Sequence, residues 1–174
     1  LTLTDGIVDL VAEGFDVGIR SGNLEDPSMI ARRLVSTHRI VTAAPSYLAE
    51  HGTPKHPRDL ERHNCLLRHG QRQPHNEWPF EAEDEKLTVK VSGSFSANTN
   101  EGIYLAALAG VGILRLASFV VEDALADGRL VPVLESYTSR DDVPIFAVYP
   151  SSRHLSPKIR TFVDFLSERL PHLD

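Results

Sequence analysis

Three groups of residues in this sequence have types and spacing suited to chemistry. His63, Cys65 and His69 offer a thiol and two imidazoles, and residues two apart on a strand share a face, so a metal is the first chemistry to weigh. A structural zinc site takes four ligands in paired spacing, and no second pair follows here. A buried cysteine flanked by surface histidines is the better reading. The second group is Arg20-Ser21-Gly22, a cation, a hydroxyl and a glycine directly after a short apolar run. The third is the run Ser96-Ala97-Asn98-Thr99-Asn100-Glu101, with the composition of a helix start. A helix N-terminus offers unpaired backbone N–H groups and the positive end of a dipole, which favour an anion. These two groups suit a small carboxylate or another polar metabolite. Each also has a plain structural role open to it, loop punctuation for one and capping for the other.

Other chemistry finds no vehicle in the sequence. Gly110-x-Gly112 lacks the third glycine of a dinucleotide fingerprint and follows a helical pattern instead of preceding one. Nucleophile-elbow, zinc-protease and P-loop patterns are missing. Asp5, Asp9, Glu13 and Asp16 read as a cap and solvated charges, with no catalytic role. The expectation is a protein with no catalytic residue, cofactor or metal.

The elements that must position these groups can be read from periodicity. Asp5 is expected to cap a short helix with Val8, Val11 and Ala12 on one face, ending at Gly14. Strands are expected at 1–3, 15–19, 29–34 and 38–44, the last two joined by a polar turn at Ser36 and Thr37. A helix follows from Pro45 to Gly52, then one turn at 57–62 and a buried strand at 65–67. Residues 70–77 read as a loop. Trp78 and Phe80, with alternating Leu87, Val89 and Val91, predict antiparallel strands with one solvated face. Asn98 is expected to cap the next helix with Glu101 answering it, and the helix ends near Gly110. A strand at 112–116, a helix at 118–126, strands at 129–134 and 143–149 and a final helix complete the pattern. Ser156 caps that last helix, Pro157 opens it, and Ile159, Phe162, Val163, Leu166 and Leu170 are expected along one face. Alternating strands and helices of this kind make an open α/β sheet, which binds ligands at the carboxyl ends of its strands.

Composition narrows the partners. The 174 residues carry a net charge of −6, without a basic run interleaved with aromatics, which disfavours direct contact with nucleic acid. One cysteine excludes an intrachain disulfide and fits a reducing, cytoplasmic setting. Residues 102–121 are apolar enough to test as a membrane span. Gly110, Gly112 and Arg115 interrupt them, so a buried helix, a turn and a buried strand are expected instead. No signal peptide is visible, and no membrane partner is expected.

The run Asp5-x-x-Val8-Asp9-Leu10-Val11-x-Glu13-Gly14-Phe15-Asp16-Val17-x-Ile19-Arg20-x-Gly22 closely resembles the effector-binding domain of LysR-type transcriptional regulators. The similarity extends through Ala44-Pro45-Ser46-Tyr47-Leu48, Asp59-Leu60-x-x-His63-x-Cys65-Leu66 and Trp78-x-Phe80. It continues through Ala106-Ala107-Leu108-Ala109-Gly110-x-Gly112-Ile113 and Gly128-Arg129-Leu130-Val131-Pro132-Val133-Leu134, to Val148-Tyr149-Pro150. The resemblance implies two α/β, Rossmann-like lobes of the type II periplasmic-binding-protein fold. Lobe one, expected to be incomplete, takes residues 1–64 and 145–174; lobe two takes 65–144. The positions matching the family's ligand contacts are Arg20, Ser21, Gly22, Ser96, Asn98 and Thr99.

The resemblance further implies a small-molecule inducer, for which the two polar groups suit a carboxylate, and a homodimer or homotetramer. DNA would be contacted only through a winged helix-turn-helix outside this sequence. Against the family pattern, the first strand and helix of lobe one are not seen, which is expected to leave apolar surface uncovered. Ala117 stands where the family usually has proline. The alternative function is a solute-binding protein of a transport system, on the same fold.

Overall fold

The computed structural model describes residues 1–6, 8–22, 28–69, 76–82, 85–137, 143–151 and 156–170. Its strands are β1 (Gly18–Ser21), β2 (Met29–Thr37), β3 (Arg39–Ala43), β4 (Leu67–Arg68), β5 (Glu77–Ala82), β6 (Glu85–Lys90), β7 (Ser96–Ala97), β8 (Ile113–Ala117), β9 (Val131–Val133) and β10 (Val143–Pro150). Its α-helices are α1 (Pro45–His51), α2 (Asn100–Leu108), α3 (Ser118–Ala126) and α4 (Pro157–Arg169), with 3-10 turns at Pro57–Arg62 and Glu135–Tyr137. The chain divides into two compact units, one of Ile7–Thr37 with Asp142–Asp174, the other of Leu1–Gly6 with His38–Asp141.

In the first unit an aspartate builds the opening turn and a glycine closes it. The Asp9 carboxylate accepts from the N–H groups of Val11 (2.9 Å) and Ala12 (3.0 Å). The Phe15 N–H reaches the Leu10 carbonyl and the Gly14 N–H that of Val11, with Gly14 at φ +73°. This paired closure is the Schellman motif. The glycine stop is therefore as expected, but the expected helix is a single turn and its cap is Asp9. The Asp5 carboxylate lies elsewhere, on the Asn100 N–H of the other unit's helix α2 (2.6 Å).

The sheet of this unit has the order β1-β10-β2, all antiparallel. β1 begins three residues later than expected, so Arg20 and Ser21 lie on the strand and not beyond it. No turn forms at Ser36 and Thr37, because β10 is long enough to pair with both, through Pro144 and Val143. Helix α4 covers the sheet with Ile159 and Val163, which join Leu34, Ala147 and Tyr149 in one core. Leu166 and Leu170 pack at its border, but Phe162 is 47% exposed and falls outside the expected face. Spacings of 4, 3 and 4 from Ile159 already complete the stripe, and Phe162 sits beside it. Ser156 caps α4 on the Ile159 N–H as expected.

In the second unit β3 is central, flanked antiparallel by β8 and β9, with Thr42 and Ala43 fully buried. The parallel pair β4-β7 and the hairpin β5-β6 complete its strands. Trp78 faces Val89 and Phe80 faces Leu87 across the hairpin, so the predicted alternation holds. Those side chains share a core with Tyr47, Leu60, Cys65, Ile113 and Val133. Each buried side chain of this size contributes about 1.5–3 kcal/mol by leaving water. Residues 38–64, which the resemblance placed in lobe one, pack here: β3 is the middle strand, and Tyr47 and Leu60 belong to this core.

The apolar run 102–121 resolves into α2, a turn at Gly110 (φ +76°), β8 and the first residues of α3. Among the described residues, no helix is long and apolar enough to cross a membrane. The remaining departure concerns residues 1–3, expected as a strand. They form none, and Leu1 and Leu3 are exposed.

Candidate functional site

Gly18 starts the strand that carries the first group of candidate residues. A β-carbon there would lie 3.0 Å from a Leu10 methyl, so glycine lets the Asp9 turn pack against β1. Arg20 and Ser21 then pair with Phe146 and Ile145 of β10, and the Gly22 N–H donates to the Pro144 carbonyl (2.9 Å). Gly22 takes φ +91°, a backbone region that side chains disfavour. The half-buried Arg20 guanidinium donates to the Val8 carbonyl, while Ser21 is exposed. A guanidinium carries five donors, so this bond leaves the group able to bind an anion as well.

The second group belongs to the other unit. Ser96 sits on β7 beside Leu67 of β4, and Asn98 follows in an exposed bend. Thr99, not Asn98, caps α2: its hydroxyl accepts from the Gly102 N–H (3.1 Å). The cap thus moves by one residue, and the expected box with Glu101 gives way to a single bond, since Gly102 has no side chain to answer Thr99. Thr99 wins because its extended backbone (φ −120°, ψ 145°) leads directly into Asn100, the first helical residue.

Two residues join this group that the sequence did not assign to it: Asp5, expected as a cap elsewhere, and Arg68. The Asp5 carboxylate accepts from the Asn100 N–H (2.6 Å), and an Arg68 guanidinium nitrogen donates to the Asp5 carbonyl (2.9 Å). Asp5 is 95 residues from Asn100 and 63 from Arg68, and no local pattern signals such a contact. The structure thus brings Arg20, Ser21 and Gly22 together on one unit, and Ser96, Asn98 and Thr99 together on the other.

The group that suggested a metal separates into unlike environments. Cys65 is fully buried with its Sγ 3.7 Å from the Leu60 carbonyl, and burial pushes its thiol up to about 12. His63 is half-buried with Nδ1 3.2 Å from the Tyr47 hydroxyl, so it is no surface histidine. His69 is exposed and gives its backbone N–H to the Ala97 carbonyl (2.7 Å). Among the described residues, no three His, Cys, Asp or Glu side chains are grouped to hold a metal. Gly110 ends α2 and Gly112 passes against the Asn64 carbonyl, so both glycines have structural duties. Ala117 adopts φ −61°, the angle a proline would impose, so the turn into α3 keeps its shape without one.

Known proteins place the whole chain. Residues 1–171 match the family model described as the LysR substrate binding domain. The HTH-type transcriptional regulator CrgA of Neisseria meningitidis serogroup B is 35% identical over 172 residues, covering 98% of this chain and 56% of that protein. The HTH-type transcriptional regulator DmlR of Escherichia coli K12 is 37% identical over 164 residues, covering 94% of this chain and 53% of DmlR. The chain therefore spans about half the length of these relatives. The solved regulatory domain of Neisseria meningitidis CrgA superposes with a TM-score of 0.81 at 35% identity, covering 92% of this chain and 78% of that one. The fold is accordingly that of LysR regulatory domains, α/β and periplasmic-binding-protein-like. These relatives are regulators, which sets the transport alternative aside. The chain belongs to the LysR substrate-binding domain family.

Proposed function

We propose that this chain senses a small-molecule inducer on behalf of a transcription regulator. The observation that carries the reading is the family match over residues 1–171, joined to relatives named as HTH-type regulators. The proposed contacts are Arg20, Ser21 and Gly22 on one unit and Ser96, Asn98 and Thr99 on the other. The two compact units are taken as the two lobes. A carboxylate inducer is favoured, since Arg20 supplies a cation and the N-terminus of α2 supplies backbone donors. The Asp5 carboxylate held by the Asn100 N–H supports that choice, because this helix end already accepts a carboxylate.

In this account the protein is a cytoplasmic homodimer or homotetramer. It reaches DNA through a winged helix-turn-helix carried by a longer protein, and has no catalytic residue, cofactor or metal of its own. The inducer acts through its different affinity for two arrangements of the lobes. Micromolar binding corresponds to about −8 kcal/mol, ample to bias a switch that costs a few kcal/mol. The test is a DNA-binding titration of the longer regulator with and without a panel of small carboxylates. One compound is expected to change the affinity or the length of DNA protected. A regulator that binds its DNA identically with every compound would contradict the reading.

A further inference from the structure

Tyr47 is 2% exposed, and its hydroxyl oxygen has two partners. The backbone N–H of Asn64 donates to it (2.8 Å), and His63 Nδ1 lies 3.2 Å away. With one lone pair taken by Asn64, the hydroxyl proton needs an acceptor, and an unprotonated Nδ1 supplies one. An imidazolium has no acceptor nitrogen, so a proton on His63 would leave the Tyr47 O–H without its partner. Asn64 is also a clip between segments. Its Nδ2 donates to the Val111 carbonyl (2.7 Å), and its Oδ1 accepts from the Ser94 N–H (2.7 Å).

A second ring nearby also accepts a hydrogen bond. His56 Nδ1 accepts from the Arg58 N–H (3.2 Å) at the start of the 3-10 turn Pro57–Arg62. His51 differs, because its Nδ1–H donates to the Tyr47 carbonyl (3.1 Å) while its ring stacks on Tyr47 at 4.4 Å.

We propose that His63 is a proton-operated latch. Neutral, it completes the Tyr47–Asn64 hydrogen bonds that join helix α1 to the segments around Ser94 and Val111; protonated, it releases the Tyr47 hydroxyl and loosens the Asn64 clip. The titratable groups that act on it are the Tyr47 hydroxyl and His51 on α1, and Asp59 within the 3-10 turn. Burial holds His63 below the usual 6.5, while Asp59 favours its charged form and His51 opposes it. The unfolded chain therefore takes up the proton first, and stability falls as pH drops from about 6.5 toward the folded value.

His63→Gln tests the latch, since its amide oxygen accepts from Tyr47 and does not titrate. The melting temperature of the wild-type chain is expected to fall further than that of H63Q between pH 7.5 and 5.0, by about 2–4 °C. The remaining histidines are present in both proteins, so the difference reads what depends on His63. Equal falls would overturn the proposal. Should H63Q fail to fold, NMR of the wild type decides: the Asn64 amide and the His63 ring are expected to titrate together with a midpoint below 6.5. An Asn64 amide that ignores the His63 titration, or a midpoint at or above 6.5, would overturn it.

Discussion

Gly93 lies against the carbonyl of Cys65 so closely that a β-carbon on it would stand 2.0 Å from that oxygen. A few residues away in space, a β-carbon on Gly112 would stand 2.2 Å from the Asn64 carbonyl. The segment 64–65 therefore threads between two glycines, tied on one side by the Cys65 N–H to Ser92 and on the other by the Ile113 N–H to Asn64. Both obstacles are backbone atoms, which cannot swing aside as a side chain would.

Gly93→Ala and Gly112→Ala are accordingly expected to cost about 3 kcal/mol each, at the upper end of overpacking penalties. Gly14→Ala, where nothing lies within 4 Å but φ is +73°, should cost only about 1–2 kcal/mol. Urea unfolding of the three variants gives the order. A Gly14 variant weaker than the other two would show that the threading relaxes easily.

The displaced cap separates stability from ligand contact. Thr99→Ala removes the hydroxyl that accepts from Gly102 and should cost about 1 kcal/mol. Asn98→Ala, in an exposed bend before the cap, should change stability by less than about 0.5 kcal/mol. Arg20→Ala loses the bond to the Val8 carbonyl, worth about 0.5–1.5 kcal/mol. Denaturation of the three variants checks this ranking, and equal losses at Thr99 and Asn98 would return the capping role to both.

Cys65 offers a probe of opening. With its thiol fully buried and pushed up to about 12, it should resist alkylation at pH 8 and react only as the chain unfolds. The linked stability is complete below the ordinary thiol range and declines as pH rises from 9 toward 12. Mass spectrometry after iodoacetamide along a urea series measures it. Rapid labelling without denaturant would contradict the burial.

Asp59 sets the opposite limit. Backbone N–H groups of His56 and Lys55 hold its carboxyl below the usual value, so its contribution is present above about 3.8 and is lost as pH falls below that. Asp59→Asn should lower stability at pH 7 to 8, where the contribution is complete, and flatten the profile below pH 4, so that the two proteins converge in acid. Parallel wild-type and variant profiles in acid would remove Asp59 from the account.

Local chemistry was legible in the sequence wherever neighbours in the chain decide structure. The Gly14, Gly52, Gly110 and Gly128 stops, the Ser156 cap and the Trp78–Val89 face all follow from spacing within a few residues. Long-range pairing was not legible. Nothing local says that β3 lies between β8 and β9, which puts residues 38–64 with the second unit, or that Ser36 and Thr37 find partners on β10. The same holds at the candidate site. Arg20 and Asn98 are visible as polar residues at element ends, whereas Asp5 and Arg68 join through contacts 95 and 63 residues apart in the chain. His63 looked like a surface residue because its partner, Tyr47, is 16 positions away.

The most direct measurement of the sensing account is a thermal-shift screen of small carboxylates on this chain, repeated with Asn98→Ala and Arg20→Ala. A ligand at 100 times its Kd adds about 2.7 kcal/mol, or a rise of roughly 5–10 °C for a protein of this size. The account predicts that one carboxylate gives such a rise in the wild type and a much smaller one in both variants. A folded chain that no carboxylate shifts, or a shift that both variants retain in full, would contradict it.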